Sequence, residues 1–251
     1  MNRYFLQLAY KGTNYHGWQI QPNANTVQAE INKGLSVLLK QEVSVMGCGR
    51  TDTGVHAKDF YLHFDTDQPI ESTDDLLYKL NRILPFDIVI YQIWEMDENC
   101  HTRFDAISRT YQYFISPIKN PFVLNQAYYY PFDLKVEAMK EACQYLLGEK
   151  DFSAFSKSRT QTFTNNCHVM EARWFENEEG LLVFEIKADR FLRNMVRAMV
   201  GTLMDVGTGK IKPETVNEII LQKNRGKAGV SVPADGLFLT EVKYPENYFS
   251  V

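Results

Sequence analysis

The order of hydrophobic periodicities along this chain predicts an α+β fold of two halves, each reading strand, helix, strand, strand, helix, strand. Three observations carry that expectation. Runs such as Arg3 to Tyr10 and Arg109 to Ser116 alternate and are rich in aromatic residues, as strands are. Val27, Ile31, Leu35, Leu38 and Leu39 recur at helical spacing, as do Leu76, Leu77, Leu80, Ile83 and Leu84. The element order, complete by about Met96, then runs a second time with one added helix. This is the split βαβ, ferredoxin-like pattern, with an antiparallel sheet and both helices on one face. Two such sheets side by side would leave a cleft at their join, a favoured place for ligand sites. The halves are expected at residues 1–104 and 105–251.

In the first half, Arg3 to Tyr10 is the opening strand, and Gly12, Gly17 and Pro22 punctuate the loop that follows. Asn25, with Gln28 three residues on, reads as the cap of the first helix. Val43 to Gly47 is the second strand, and a third runs through Phe60, Leu62 and Phe64. Ser72 starts the second helix, Pro85 ends it, and Ile88 to Trp94 is the fourth strand.

In the second half, Arg109 to Ser116 leads into a tyrosine-rich connection marked by Pro117, Pro121 and Pro131. Lys135 to Leu147 is helical, with Gly148 as its stop, and Asp151 to Thr164 is polar and loop-like. His168 to Phe175 and Leu181 to Ala188 form a hairpin over Asn177-Glu178-Glu179-Gly180. Phe191 to Val206 is the next helix, ended by Gly207 and Gly209. Pro213 opens the extra helix, and Leu237 to Tyr244 is the last strand.

Composition excludes several classes. Hydrophobic residues make up 45% and charged residues 23% of 251, the balance of an ordinary soluble chain. No apolar run reaches the roughly 18 residues of a membrane helix, and MNRYFLQLAY is too short and too alternating for a signal peptide. Cys48, Cys100, Cys143 and Cys167 are scattered without a CxxC pair, so neither a zinc site nor a disulfide framework is expected, and a reducing cytoplasm fits. Net charge is −4, which argues against an extended nucleic-acid coat but leaves room for a local basic patch. Candidates are Lys157 and Arg159; Arg190, Arg193 and Arg197; and Lys223, Arg225 and Lys227. Each alone also reads as a solvated face.

The informative difference between the halves lies between their second and third strands. The second half joins them by a short hairpin, whereas the first spends the loop Cys48-Gly49-Arg50-Thr51-Asp52-Thr53-Gly54-Val55-His56-Ala57. Asp52 is the leading catalytic candidate, against the alternative of an Asx-turn bonded to its own backbone. A nucleophilic carboxylate must be ionised, which a nearby cation favours and solitary burial opposes. Arg50 and Arg197 are possible partners. Arg190, Arg193 and Arg197 share one side of the Phe191 helix if all three are helical. Arg197 sits in the apolar run MVRAMVG and needs a carboxylate, either Asp52 or a purely structural acid. Tyr111 and Tyr113 share a strand face, so Tyr111 is either a core residue or an aromatic that stacks on a base. His56 is either a proton donor or a turn histidine bonded to backbone. There is no glycine-rich phosphate loop, and no cofactor is expected.

At Gly49 to Ala57, GRTDTGVHA, the chain resembles the tRNA pseudouridine synthase A family, or tRNA pseudouridine(38-40) synthase, over nearly its whole length. Supporting stretches are Tyr10 to Gln19, Thr26-Val27-Gln28, Phe104-Asp105-Ala106, Ser108 to Tyr111, Phe191 to Arg197 and Gly236 to Leu239. The resemblance implies two ferredoxin-like halves, a homodimer, and isomerisation of uridine at positions 38 to 40 of the tRNA anticodon stem-loop. It implies that Asp52 is catalytic, that Tyr111 packs on the target uracil, and that Arg197 pairs with Asp52. Arg50 would help displace the base, and Leu237 would line the pocket. The reaction exchanges neither electrons nor phosphate, so it requires no cofactor. Thr160 to Met170, TQTFTNNCHVM, fits the family pattern less closely and is a candidate RNA contact. Two rivals are an inactive RNA-binding protein and a hydrolase using Asp52 with water. Intact Asp52, Tyr111 and Arg197 oppose the first, and the lack of a paired carboxylate or metal cluster opposes the second.

Overall fold

The computed structural model describes residues 1–157 and 163–249. Arg159 and the start of the Thr160 to Met170 segment lie outside the described residues. The chain divides into two compact units, Met1–Ile107 with the residues from Leu239 on, and Ser108–Phe238.

The first unit contains β1 (Asn2–Tyr10), α1 (Val27–Leu39), β2 (Met46–Gly47), β3 (His56–Thr66), α2 (Thr73–Ile83) and β4 (Ile88–Met96). β1 lies antiparallel between β3 and β4, with Leu6 opposite Leu62 on one side and Ile93 on the other. Tyr4, Leu6, Leu8, Phe60, Leu62 and Phe64 are buried with Ile31, Leu35 and Leu80 of the helices. α1 packs on α2, and α2 packs on β4.

Three local expectations are corrected. The α1 cap is Thr26, whose hydroxyl accepts the Ala29 N–H, one residue beyond Asn25. The second strand shrinks from Val43–Gly47 to Met46–Gly47. Side chains of α1 claim the earlier backbone: Val43 N–H donates to Ser36 Oγ, Val45 N–H donates to Asn32 Oδ1, and Val45 O accepts from Gln28 Nε2. The two N–H groups cannot also donate into a ladder. The third strand begins at His56, four residues before Phe60, which shortens the intervening loop to residues 48–55.

The second unit contains β5 (Ser108–Ser116), β6 (Tyr128–Tyr129), α3 (Val136–Cys143), β7 (Gly148–Asp151), β8 (Asn166–Glu176), β9 (Leu182–Ala188), α4 (Met195–Gly207) and α5 (Thr215–Gln222). Its strands run in the order β5-β9-β8-β7, each antiparallel to its neighbour, and β6 pairs parallel to β5. β7 was not expected from sequence. Nor was the burial of Phe152, Ala154 and Phe155, which sit inside a stretch that reads as polar loop.

α4 starts at Met195 rather than Phe191, because Asn194 takes a left-handed conformation at φ 66°. Arg190 and Arg193 therefore precede the helix, and of the three arginines Arg197 alone is on it. β10 (Leu237–Lys243) carries the chain back to the first unit. There Val242 N–H donates to Asp59 Oδ2, Ile107 N–H donates to Lys243 O, and Phe249 stacks on Trp94 at 4.5 Å.

Candidate active site

The loop that carries Asp52 is held by backbone contacts that only small residues permit. A Cβ on Gly17 would lie 2.5 Å from Thr51 O and 3.2 Å from the carbonyl carbon of Asp52, and Gly17 itself has φ 89°. A Cβ on Gly12 would meet Val55 O at 2.0 Å. Trp18 N–H donates to Thr51 O, and Gly54 N–H donates to Tyr15 O. Val55 N–H closes a turn onto Asp52 O, with Gly54 at φ 80° inside it.

Beneath the loop, Thr51 is buried and its Oγ1 lies 2.8 Å from Tyr10 Oη. Trp18 packs on Phe60 with ring centroids 4.2 Å apart, and Gly47 gives the indole its room. Asp52 is half-buried on this seat and Arg50 is exposed. In the sequence Gly12 and Gly17 are only loop punctuation, yet from more than thirty residues upstream they do the holding.

His56 is 1% exposed, and its Nδ1 accepts the Gly12 N–H at 3.0 Å. This bond ties the base of the Asp52 loop to the turn after β1. An accepting Nδ1 leaves the ring's proton on Nε2.

In the second unit, Tyr111 and Tyr113 share a face of β5, as the alternation predicts, but their surroundings differ. Tyr113 is fully buried and donates to Pro233 O at 2.9 Å, and burial holds its phenol well above the usual range. Tyr111 is only half-buried and meets Phe191 edge-on at 5.0 Å, opposite Ile186 of β9. Of the pair, Tyr113 is the core residue and Tyr111 keeps accessible ring surface.

Arg197 is half-buried on a helix whose other residues are almost all buried. Its Nε donates to Val232 O at 2.8 Å. Asp235 lies within its field: burial holds the Asp235 carboxyl above its usual range, and backbone N–H groups and, more weakly, the Arg197 charge offset only part of that rise. The sequence reading missed Asp235. Its position two residues before the Leu237 strand offered no local signal. Leu237 is buried at the start of β10.

The basic candidates separate. Lys157, Arg193, Lys223 and Lys227 are exposed, with Lys223 paired to Asp151 at 2.8 Å. Arg225 instead turns its guanidinium to neighbouring backbone. In the tyrosine-rich connection after β5, Tyr129 is exposed, while Tyr128 and Tyr130 are half-buried with rings 5.8 Å apart. Among the described residues no helix is long and apolar enough to cross a membrane.

Residues 142–245 match a family model described as tRNA pseudouridine synthase. Over 251 residues, all of this chain and 99% of the relative, it is 49% identical to tRNA pseudouridine synthase A of Parabacteroides distasonis. It is 48% identical to tRNA pseudouridine synthase A of Bacteroides thetaiotaomicron, covering 100% of this chain and 93% of that one. To the protein of that description from Thermoanaerobacter sp. it is 39% identical, covering 97% of this chain and 100% of that one. Among solved structures, a chain of a Cbf5-Nop10-Gar1 complex superposes at a TM-score of 0.34 with 10% identity. That superposition takes in 94% of this chain and 57% of the other, a likeness too distant to bear on the fold.

Proposed function

This chain belongs to the tRNA pseudouridine synthase A family, and from that premise we propose that it isomerises uridine to pseudouridine at positions 38, 39 and 40 of the tRNA anticodon stem-loop. It is an isomerase of tRNA uridine. The observation that carries the reading is the 49% identity over the full chain. The strand order of the first unit, with β2 on the edge of β3 away from β1, supports reading it as a ferredoxin-like half.

In this reading Asp52 is the catalytic carboxylate and Arg197 is its cation. Tyr111 packs on the target uracil, and Leu237 lines the pocket. The exposed Arg50 helps displace the base, and His56 supports the loop from below. The bond from ribose C1′ to uracil N1 breaks, the base turns, and C1′ bonds to C5. N1 ends with a proton and C5 releases one, so no outside oxidant or reductant enters. Three routes use a carboxylate here: attack on the sugar, attack on the base, or removal of a sugar proton. The target base must leave its stack, at a cost of a few kcal/mol that the aromatic and arginine contacts offset. A firm seat for the Asp52 loop suits any of the three, because it fixes the carboxylate before substrate arrives. Homodimerisation and a cytoplasmic location belong to the same proposal. Light scattering at micromolar concentration tests the first, and a monomer would count against it.

The test is position-resolved pseudouridine mapping on unmodified tRNA transcripts with wild type and Asp52→Ala in parallel. New pseudouridine at 38, 39 or 40 with wild type alone is the expected result. Modification elsewhere would replace the proposed positions. Turnover retained by Asp52→Ala would remove Asp52 from the mechanism.

A further inference from the structure

Residues 228–232 run along the first two turns of α4, closer than side chains allow. A Cβ on Gly201 would lie 1.8 Å from Val230 O, and one on Gly229 would lie 2.7 Å from the Gly201 carbonyl carbon. Backbone meets backbone, and hydrogen bonds lock the seat. Gly229 N–H donates to Thr202 Oγ1 at 2.8 Å, and Val232 N–H donates to Arg197 O at 3.2 Å. Arg197 returns its Nε–H to Val232 O at 2.8 Å. Because a guanidinium is planar, fixing Nε fixes the plane in which its other donors lie.

The outer side of this run is held by Arg225. Its guanidinium donates to Gly229 O at 3.0 Å, to Ala228 O at 3.4 Å and to Ser231 Oγ at 2.8 Å. Ser231 Oγ also accepts from Asn194 Nδ2 at 2.7 Å. Asn194 is the left-handed residue that starts α4, and its carbonyl accepts the Ala198 N–H. Ser231 therefore joins Arg225 to both things that orient Arg197, the start of its helix and the carbonyl run that takes its Nε.

We propose that Arg225, acting through Ser231, is a positioning residue for uridine isomerisation: it sets the plane of the Arg197 guanidinium and so serves turnover rather than tRNA affinity. This rests on the reading of Arg197 as the cation of the reaction. The rival role for Arg225 is a direct phosphate contact, as its charge would suit. The two roles differ in what Ser231 does, because Ser231 carries no charge.

The experiment compares Ser231→Ala, Ser231→Thr, Arg225→Met and Arg197→Lys, with the doubles Ser231→Ala/Arg225→Met and Ser231→Ala/Arg197→Lys. Single-turnover pseudouridine formation and tRNA Kd are read at fixed salt. Loss of one oriented hydrogen bond should slow turnover about tenfold in Ser231→Ala and in Arg225→Met, with Kd changed by less than about twofold. Ser231→Thr, which keeps the hydroxyl, should restore the rate. Once Arg197→Lys has removed the Nε donor, Ser231→Ala should cost less than about a further twofold, since coupled residues are not additive. An undiminished tenfold loss in that double would overturn the inference, as would full activity of Ser231→Ala. Weakened affinity with a shallower salt dependence in Arg225→Met, beside a silent Ser231→Ala, would make Arg225 a phosphate contact instead. Wild-type turnover by Arg197→Lys would remove Arg197 from the reaction and this inference with it.

Discussion

Replacing Gly17 with alanine should slow uridine isomerisation by roughly a hundredfold, as expected for a misplacement of about 1 Å at the carboxylate proposed above as catalytic. The geometry sets that size. The new Cβ would sit 2.5 Å from Thr51 O, where ordinary contact begins at 3.4 Å, so the loop must retreat by about 0.9 Å. The obstacle is backbone and cannot rotate away. The φ of 89° adds about 1–2 kcal/mol for any L side chain, and crowding of this kind costs about 1–3 kcal/mol more. If the loop yields, Asp52 moves and turnover falls. If it holds, the strain appears as lost stability, about 2–4 °C of melting temperature per kcal/mol at this chain length. Gly49→Ala is the control inside the same loop. Nothing lies within 4 Å of its Cβ, so rate and melting temperature should match wild type. Single-turnover rates and thermal melts of the two variants decide the matter. Gly17→Ala within twofold of wild type and unchanged in melting, or Gly49→Ala equally damaged, would refute the view that Gly17 seats the Asp52 loop.

Other expectations follow from particular groups. His63 is buried beside Arg3 and His101, with Asp65 and Asp105 also near, and burial foremost lowers its imidazole to about 4. Its stabilising effect is complete above about pH 6.5 and fades as pH falls toward 4, a loss of about 1–3 kcal/mol. Urea midpoints of His63→Gln should therefore fall less steeply than wild type over that interval, and parallel curves would contradict it. Burial pushes the Cys143 and Cys167 thiols up to about 12, and Cys48 is buried as well, so alkylation of the native protein should mark Cys100 first. Peptide mapping that found Cys143 labelled equally fast would argue against this packing. Tyr111→Phe should bind and stack as wild type does, while Tyr111→Ala should weaken target engagement by about 1–3 kcal/mol. Equal rates for the two would deny Tyr111 a stacking role. Arg50→Ala should lower the single-turnover rate, and an unchanged rate together with unchanged affinity would end its part in base displacement.

Elements whose signals are local were legible in the sequence. Ser72 caps α2 as read, accepting the Asp75 N–H, and the hairpin over Asn177 to Gly180 closes on the Asn177 side chain. What escaped was decided by distant partners. Val43 and Val45 have strand chemistry, but α1 side chains take their backbone groups. Phe191 and Met195 are four apart and suggest one helix, but Asn194 breaks the run while its amide bonds Ser231. Gly148 to Asp151 has no strand pattern and pairs only because β8 offers an edge. In the site, the composition of the Asp52 loop was readable, whereas its anchors at Gly12 and Gly17 and the neighbour Asp235 emerge only once the chain is folded.

The return of the chain to its first unit at Leu239 bears on biosynthesis. Residues 1–107 leave the ribosome early but lack Val242 for Asp59 and Phe249 for Trp94. The 131 residues of Ser108–Phe238 must be made first, which takes roughly 7–26 s at ribosomal speeds of about 5–20 residues per second. The unit begun first is thus finished last, and during that interval the face later covered by Tyr248 and Phe249 is open to whatever binds nascent chains. A transcript broken just after the codon for Phe238 would spare the second unit and leave the one carrying Asp52 incomplete.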